Sequence, residues 1–512
     1  FLIRFSMLKH VFVLLLTYGI GAVSSDFAAT NPFFPEISEE TYKKTLNELS
    51  VGREEQGQDL LERVTLLDEC SKHTTCGSCA AASSLFTPCR WCPKFGDVSC
   101  HVVGSSSNTC ESDEQITDPD NCEALPATRK PVVILPGLIG SNLDAKLTEK
   151  PSVTSPVCSK NSDWFTVWIS AYEVAPEFYK CLFDNIELHY NDEDETVSNN
   201  PGVEVRAPSY GASVDAVMCL IPGNEKLCSS STNWVNLVKA MEAKGYEVGK
   251  DLYSAPYDFR MGEKQFMAEG GDYSKLKTLV EEAYVNNGGA PVVFVSISYG
   301  GPFGAAFLTD YVDQDWKDKY IDSFISLSGV FNGAPMVVHQ LLSGMPAYGL
   351  TWIDQTLLRD TMREWPSLSW LVPTFVEDDV NNDEGDRVIM YTDVKNYTLS
   401  DVPELLENGG AAGAAAIKRK QEITTVKDPG VKVHCWFTED MPTEWAYYQA
   451  NDKLDQDPGI IPGLGDGTGD KHSLNRCESW NNVEVVKRSG LCHSCYLSDE
   501  EVIKDIVDLL TE

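Results

Sequence analysis

An unbroken apolar run that stops at a cluster of small residues constrains this chain more than any other feature. Pro291-Val292-Val293-Phe294-Val295 leads directly into Ser296-Ile297-Ser298-Tyr299-Gly300-Gly301, and a helix is expected from Pro302 to about Tyr311. A β-branched run without polar alternation predicts a strand buried on both faces, as in the centre of a parallel sheet. A sharp turn from such a strand into a helix needs small residues two before and two after its apex. Ser296 and Gly300 stand in that relation to Ser298, whose hydroxyl would then be held out above the sheet edge. An ordinary strand-end turn has the same pattern, so the motif acquires chemical meaning only from partners elsewhere.

The surrounding sequence repeats the theme. Pro131-Val132-Val133-Ile134-Leu135, Phe324-Ile325-Ser326-Leu327 and Val431-Lys432-Val433-His434-Cys435 read as further strands. A terminal helix is expected with Ser498 as its cap and Glu501 three residues on. Val502, Ile503, Ile506, Val507 and Leu510 share its apolar face. Strands alternating with helices define an α/β domain, here from about 130 to 512.

What precedes it is different in kind. Read from Met7, a basic Lys9-His10 and an apolar stretch from Val11 to Val23 form a signal peptide, with cleavage near Ser25. The rival reading, a membrane anchor, needs about 18 apolar residues and finds fewer. Residues 26–69 read as a polar helical linker. Eight of the 16 cysteines then fall within 70–122, at positions 70, 76, 79, 89, 92, 100, 110 and 122. So short a segment, poor in aliphatic residues, must be held by disulfides. Zinc is the alternative, since Cys76/Cys79 and Cys89/Cys92 have ligand spacing, but an exported chain favours disulfides, and no metal or other cofactor is expected. The sequon Asn396-Tyr397-Thr398 offers a glycan acceptor.

Charge excludes some partners. With 77 acidic against 41 basic residues, the net charge of -36 repels nucleic acid and anionic headgroups alike. Membrane contact must then rest on apolar and aromatic side chains. Trp164, Phe165, Val167, Trp168 and Ile169, between Cys158 and Cys181, are read as an aromatic loop of that kind.

A nucleophilic serine needs a base and an orienting acid. In chain order after Ser298 come Asp466, in the loop Gly463-Leu464-Gly465-Asp466-Gly467-Thr468, and His493, which follows a strand-like run at 483–486. His472 competes as base but lies only six residues beyond Asp466, on the same loop. Two backbone N–H groups would form an oxyanion hole: that of Tyr299, and one from Pro136-Gly137-Leu138-Ile139-Gly140, assigned to Ile139.

From about 130 onward these motifs, in order, resemble the lecithin:cholesterol acyltransferase family, which includes lysosomal phospholipase A. The resemblance is carried by Pro131–Gly137 leading to Gly140-Ser141-Asn142-Leu143-Asp144-Ala145-Lys146-Leu147. It continues through Asp163-Trp164-Phe165-Thr166-Val167-Trp168, Gly202–Pro208, Ala255-Pro256-Tyr257-Asp258-Phe259-Arg260 and Gly465-Asp466-Gly467-Thr468. It implies an α/β-hydrolase fold with cap and lid insertions. Ser298 would be nucleophile, Asp466 acid and His493 base, with no cofactor. It further implies disulfides Cys158–Cys181 and Cys435–Cys477, and Trp168 lining an acyl site. The 70–122 segment resembles a plexin–semaphorin–integrin (PSI) module, which implies a spacer or protein-partner surface without chemistry. The substrates implied are a phospholipid and a lipid alcohol or water, met at a membrane or lipoprotein surface. The compartment would be extracellular, or the lumen of a lysosome or vacuole.

Two departures stand out: Ser296-Ile297 before the nucleophile where the family has a small residue and His, and Gly469-Asp470 where it has Val-Pro. They keep open a second reading, a catalytically inactive lipid-binding or adhesion protein on the same fold.

Overall fold

The computed structural model describes residues 89–91, 100–102, 129–170, 172–211, 213–218, 234–345, 352–375, 385–420, 427–450 and 453–511. The signal peptide, the linker and most of the cysteine-rich segment therefore lie outside the described residues. Of that segment, Cys89–Trp91 pairs antiparallel with Cys100–Val102.

A six-stranded sheet organises the domain. Its strands are β1 (Val132–Leu135), β5 (Leu252–Ser254), β6 (Val292–Ile297), β7 (Ile321–Leu327), β10 (Lys432–Thr438) and β13 (Val483–Arg488). They lie side by side as β13-β10-β7-β6-β1-β5, and every pairing is parallel. The absence of polar alternation is explained by burial on both faces. Val133, Leu135, Phe294 and Phe324 enter one core, while Val132, Ile134, Val293, Val295 and Ile325 enter another on the opposite side.

Helices cover both faces. The terminal helix, Glu500–Thr511, contributes Val502, Ile506, Val507 and Leu510 to the second core. Its cap is Asp499 rather than Ser498: Asp499 Oδ1 accepts from the N–H groups of Glu501 and Val502, at 3.1 and 2.9 Å. Ser498 Oγ instead donates to the Cys495 carbonyl, so the sequence places the helix start one residue early. The helix after Ser298 runs Gly300–Ala306 and then widens into a π-helical turn, Phe307–Tyr311.

Besides a two-stranded ribbon of Leu188–Asn191 and Thr196–Asn199, two smaller sheets accompany the main one in the domain. β2 (Leu143–Leu147), β3 (Ser162–Trp168) and β4 (Val203–Arg206) form the first, antiparallel with β2 central. The aromatic segment read as a loop is therefore largely strand β3. Its pleat sends Val167 inward, and Ile169 just beyond is buried too, while Trp164 faces out. β8 (Val388–Thr392), β9 (Asn396–Thr398), β11 (Met441–Gln449) and β12 (Gly459–Gly465) form the second, in the order β9-β8-β11-β12. Asn396 is exposed on β9. Disulfides join Cys158 to Cys181, Cys435 to Cys477 and Cys492 to Cys495.

Candidate active site

At the carboxyl end of β6, Ser298 takes φ +55°, a left-handed conformation that costs a non-glycine residue about 1–3 kcal/mol and persists only where its surroundings impose it. They do. The Ser298 N–H donates to the Leu327 carbonyl on neighbouring β7 (3.1 Å), and Gly301 N–H closes the turn onto the Ser298 carbonyl (2.9 Å). Two glycines give it room. A Cβ on Gly137 would stand 3.1 Å from Ser298 Cβ, and one on Gly300 would collide with the Leu135 carbonyl.

A second strained turn faces the first. Ile139 also has φ +55°, and for a β-branched residue that is a genuine outlier. Gly140 N–H donates to Gly137 O (3.0 Å), and the Trp168 indole N–H donates to Ile139 O (3.1 Å). Asn142 in turn donates to the Trp168 carbonyl (3.3 Å). Trp168, half-buried with its edge toward Phe259, thus holds the Ile139 carbonyl and with it the orientation of that turn. Among the described residues, the N–H groups of Ile139 and Tyr299 make no backbone hydrogen bond. The Tyr299 side chain is core: its hydroxyl donates to Met261 O (2.9 Å), and burial, with Tyr257 nearby, drives its pKa well above the ordinary phenol value.

Asp466 follows β12 and is fully buried. Its Oδ1 accepts from Thr468 N–H (3.0 Å) and Gly469 N–H (2.8 Å), which turns Oδ2 toward His493 Nδ1 at 2.7 Å. The His493 N–H donates to the Asp466 carbonyl (2.9 Å), so the two residues are tied through both backbone and side chain. With Nδ1–H on the carboxylate, Nε2 is the nitrogen left to accept a proton. It is buried and, among the described residues, has no hydrogen-bond partner, Ser298 included. Contacts of that kind commonly tighten only once substrate is bound.

The tertiary contacts bring these loops to one end of the sheet. Ser328, just after β7, donates its N–H to Trp436 O on β10 (2.7 Å). Asn332 N–H reaches Ser473 Oγ (3.1 Å), fastening the Asp466 loop to the chain after β7. His472 lies in the helical turn Lys471–Leu474, its ring against Trp445 (5.2 Å), and the Asp466 carboxylate is engaged by His493 rather than by it.

Other buried charged groups were not singled out from sequence. Arg387 and Asp470 form a buried ion pair (2.7 Å), and Asp470 also caps the turn that follows by accepting from Ser473 N–H (2.9 Å). The one available signal was Asp470 itself, noted as a departure but without a role. Glu173, buried a few residues beyond Trp168, has its carboxyl pushed up to about 7 by desolvation. The Lys418 ammonium, buried on Val372 O (3.1 Å) and Thr374 Oγ1 (2.7 Å), is pushed down to about 7 by the same cause.

The profile of the family described as lecithin:cholesterol acyltransferase matches residues 164–423. The chain is 33% identical over 371 residues to the rat "lysosomal phospholipase A and acyltransferase", covering 72% of this chain and 86% of that one. It is 29% identical over 417 residues to the Arabidopsis thaliana "lecithin-cholesterol acyltransferase-like 1", covering 77% and 92%. With the rat "phosphatidylcholine-sterol acyltransferase" it shares 30% identity over 393 residues, covering 74% and 84%.

Proposed function

The chain belongs to the lecithin:cholesterol acyltransferase family, and from that premise we propose that Ser298, Asp466 and His493 carry its acyltransferase and phospholipase chemistry. The observation that supports this reading is the doubly tied Asp466–His493 pair, taken with the left-handed turn that holds Ser298 at the carboxyl end of β6.

Ser298 Oγ attacks the acyl carbonyl of a phospholipid while His493 Nε2 takes its proton. Asp466 Oδ2 holds the imidazole through Nδ1 and balances the imidazolium that forms. The tetrahedral oxygen rests on the N–H groups of Ile139 and Tyr299. His493 then gives its proton to the departing lysolipid alkoxide, leaving an acyl ester on Ser298. In the second half the same imidazole deprotonates the acceptor, either a lipid alcohol or water. Acceptor choice follows from how well the closed site excludes water. Trp168 contributes by fixing the Ile139 turn, and its half-buried ring is available to an acyl chain.

The compartment proposed is the lumen of the secretory or lysosomal system, which the disulfides favour. The same setting makes Asn396, exposed on its strand, a glycan acceptor. Among the described residues no helix is long and apolar enough to cross a membrane. Access to lipid is assigned to the outer face of β3. The test of the chemistry is incubation with labelled phosphatidylcholine and mixed acceptors. Lysolipid together with free and transferred acyl chains supports it. A protein that releases none, and that a serine-reactive fluorophosphonate does not label, is the inactive binding protein instead.

A further inference from the structure

The candidate base is enclosed in a covalent ring. Cys492 and Cys495 are disulfide-bonded across three positions with Cα atoms 5.0 Å apart, and Cys495 N–H donates to Cys492 O (2.9 Å). His493 and Ser494 are the two inner residues of that closed turn. The loop is anchored independently at both flanks: Gly490 N–H on Asp440 Oδ1 (2.9 Å), and the buried Tyr496 hydroxyl on Thr438 Oγ1 (2.9 Å). A ring this short restricts the unfolded chain least of all disulfides, so its effect is local, on the backbone angles of His493 and Ser494. Access differs as well. Cys492 and Cys495 are half-exposed, whereas Cys435 and Cys477 are 1% and 0% exposed. Thiol–disulfide exchange requires a thiolate to approach a sulfur, so the partly exposed first pair is the more accessible to a reductant than the buried Cys435–Cys477 pair.

We propose that the Cys492–Cys495 disulfide is a positioning clamp for His493, and that its opening by a dithiol reductant lowers acyl transfer reversibly; the proposal rests on His493 being the base. A reductant thiolate attacks one sulfur and releases the other as a thiolate. Its second thiol then resolves the mixed disulfide. Two electrons and two protons pass to the protein, giving two cysteine thiols and one reductant disulfide. The turn relaxes about His493 while Asp466, held by Thr468 and Gly469, stays in place, and the imidazole no longer meets the nucleophile in one geometry.

The test compares the wild type with Cys492→Ser/Cys495→Ser on a soluble short-chain ester, with thermal unfolding measured alongside. Misplacement of a catalytic group predicts kcat lower by about ten- to a hundredfold, with KM and the unfolding midpoint nearly unchanged. Wild type titrated with a dithiol should fall to the same kcat, in step with alkylation of Cys492 and Cys495 mapped by mass spectrometry. It should recover on reoxidation, and this arm also serves if the double variant does not fold. An unchanged kcat in the variant, or parallel loss of kcat, KM and unfolding midpoint, overturns the clamp. His493→Ala separates the two claims. If it is active, the assignment of the base fails; if it is inactive while the double variant is fully active, only the role of the disulfide fails.

Discussion

At the scale of single residues, the account predicts which side chains are interchangeable. Ser298→Ala should leave unfolding unchanged, because a half-exposed apex residue opens no core cavity, yet remove activity. His493→Ala should also remove activity, but it strips the buried Asp466 carboxylate of its partner and should lower the unfolding midpoint as well. His472→Ala should retain most of the rate, since its ring packs on Trp445 rather than on Asp466. Steady-state rates of the three variants decide this, and an inactive His472→Ala would move the base. Glu173 gives a pH prediction. Burial raises its folded-state pKa to about 7 from the ordinary glutamate value of 4.5, so between those values the folded state binds more protons than the unfolded one. Stability contributed by this group therefore falls as pH rises through that window, by roughly 3 kcal/mol at most. Glu173→Gln should match wild type in unfolding free energy near pH 4.5 and exceed it above pH 7. Parallel curves across the range would show that the carboxyl is not desolvated in solution. The candidate serine, acid and base stand out in the sequence because each follows a strand-like or glycine-rich run. Trp168 as a tether for Ile139 does not, because a hydrogen bond between two distant turns leaves no periodicity.

At the scale of elements, continuous burial was legible and edges were not. β1, β6, β7 and β10 announce themselves through uninterrupted β-branched runs, because both faces of a central parallel strand are buried. β3 carries Asp163, Trp164, Phe165 and Thr166 on a partly exposed edge, so its alternation looks like an aromatic loop until β2 pairs with it. β11 and β12 pair over Met441–Gln449 and Gly459–Gly465 with a bulge, which breaks the period a sequence reading relies on. The Asp466 loop depends on an ion pair between elements far apart in sequence. Asp470→Asn keeps shape but leaves the Arg387 guanidinium buried beside a neutral group. That should cost about 3 kcal/mol of stability and lower activity through the loop. Denaturant unfolding checks the first, and a loss below about 0.5 kcal/mol, the range of ordinary surface substitutions, would mean the pair is hydrated in solution.

At the scale of the whole molecule, chemistry and membrane access separate. All three candidate residues lie beyond 130, so a chain truncated to 123–512 should keep its rate on a soluble short-chain ester. Its inactivity, if folded, would make the cysteine-rich segment part of the site. With a net charge of -36, the proposed route to lipid is aromatic contact. Val167 and Ile169 are core, which reduces the sequence-stretch once read as a loop to Trp164 and part of Phe165. Trp164 is 36% exposed, with the Arg206 guanidinium 4.0 Å over its ring. Trp164→Ser should weaken binding to zwitterionic vesicles while sparing the soluble ester, and equal loss on both would make the ring structural. One claim underlies everything else: a single seryl acyl-enzyme feeds both hydrolysis and transfer. It is tested most directly by following free and transferred acyl products from labelled phosphatidylcholine with wild type and Ser298→Ala, at increasing lipid-alcohol acceptor. Wild type should shift its products toward transfer at constant lysolipid release. Ser298→Ala should lose both products together, to below about a thousandth of the wild-type rate. Either product persisting in the variant would contradict the account.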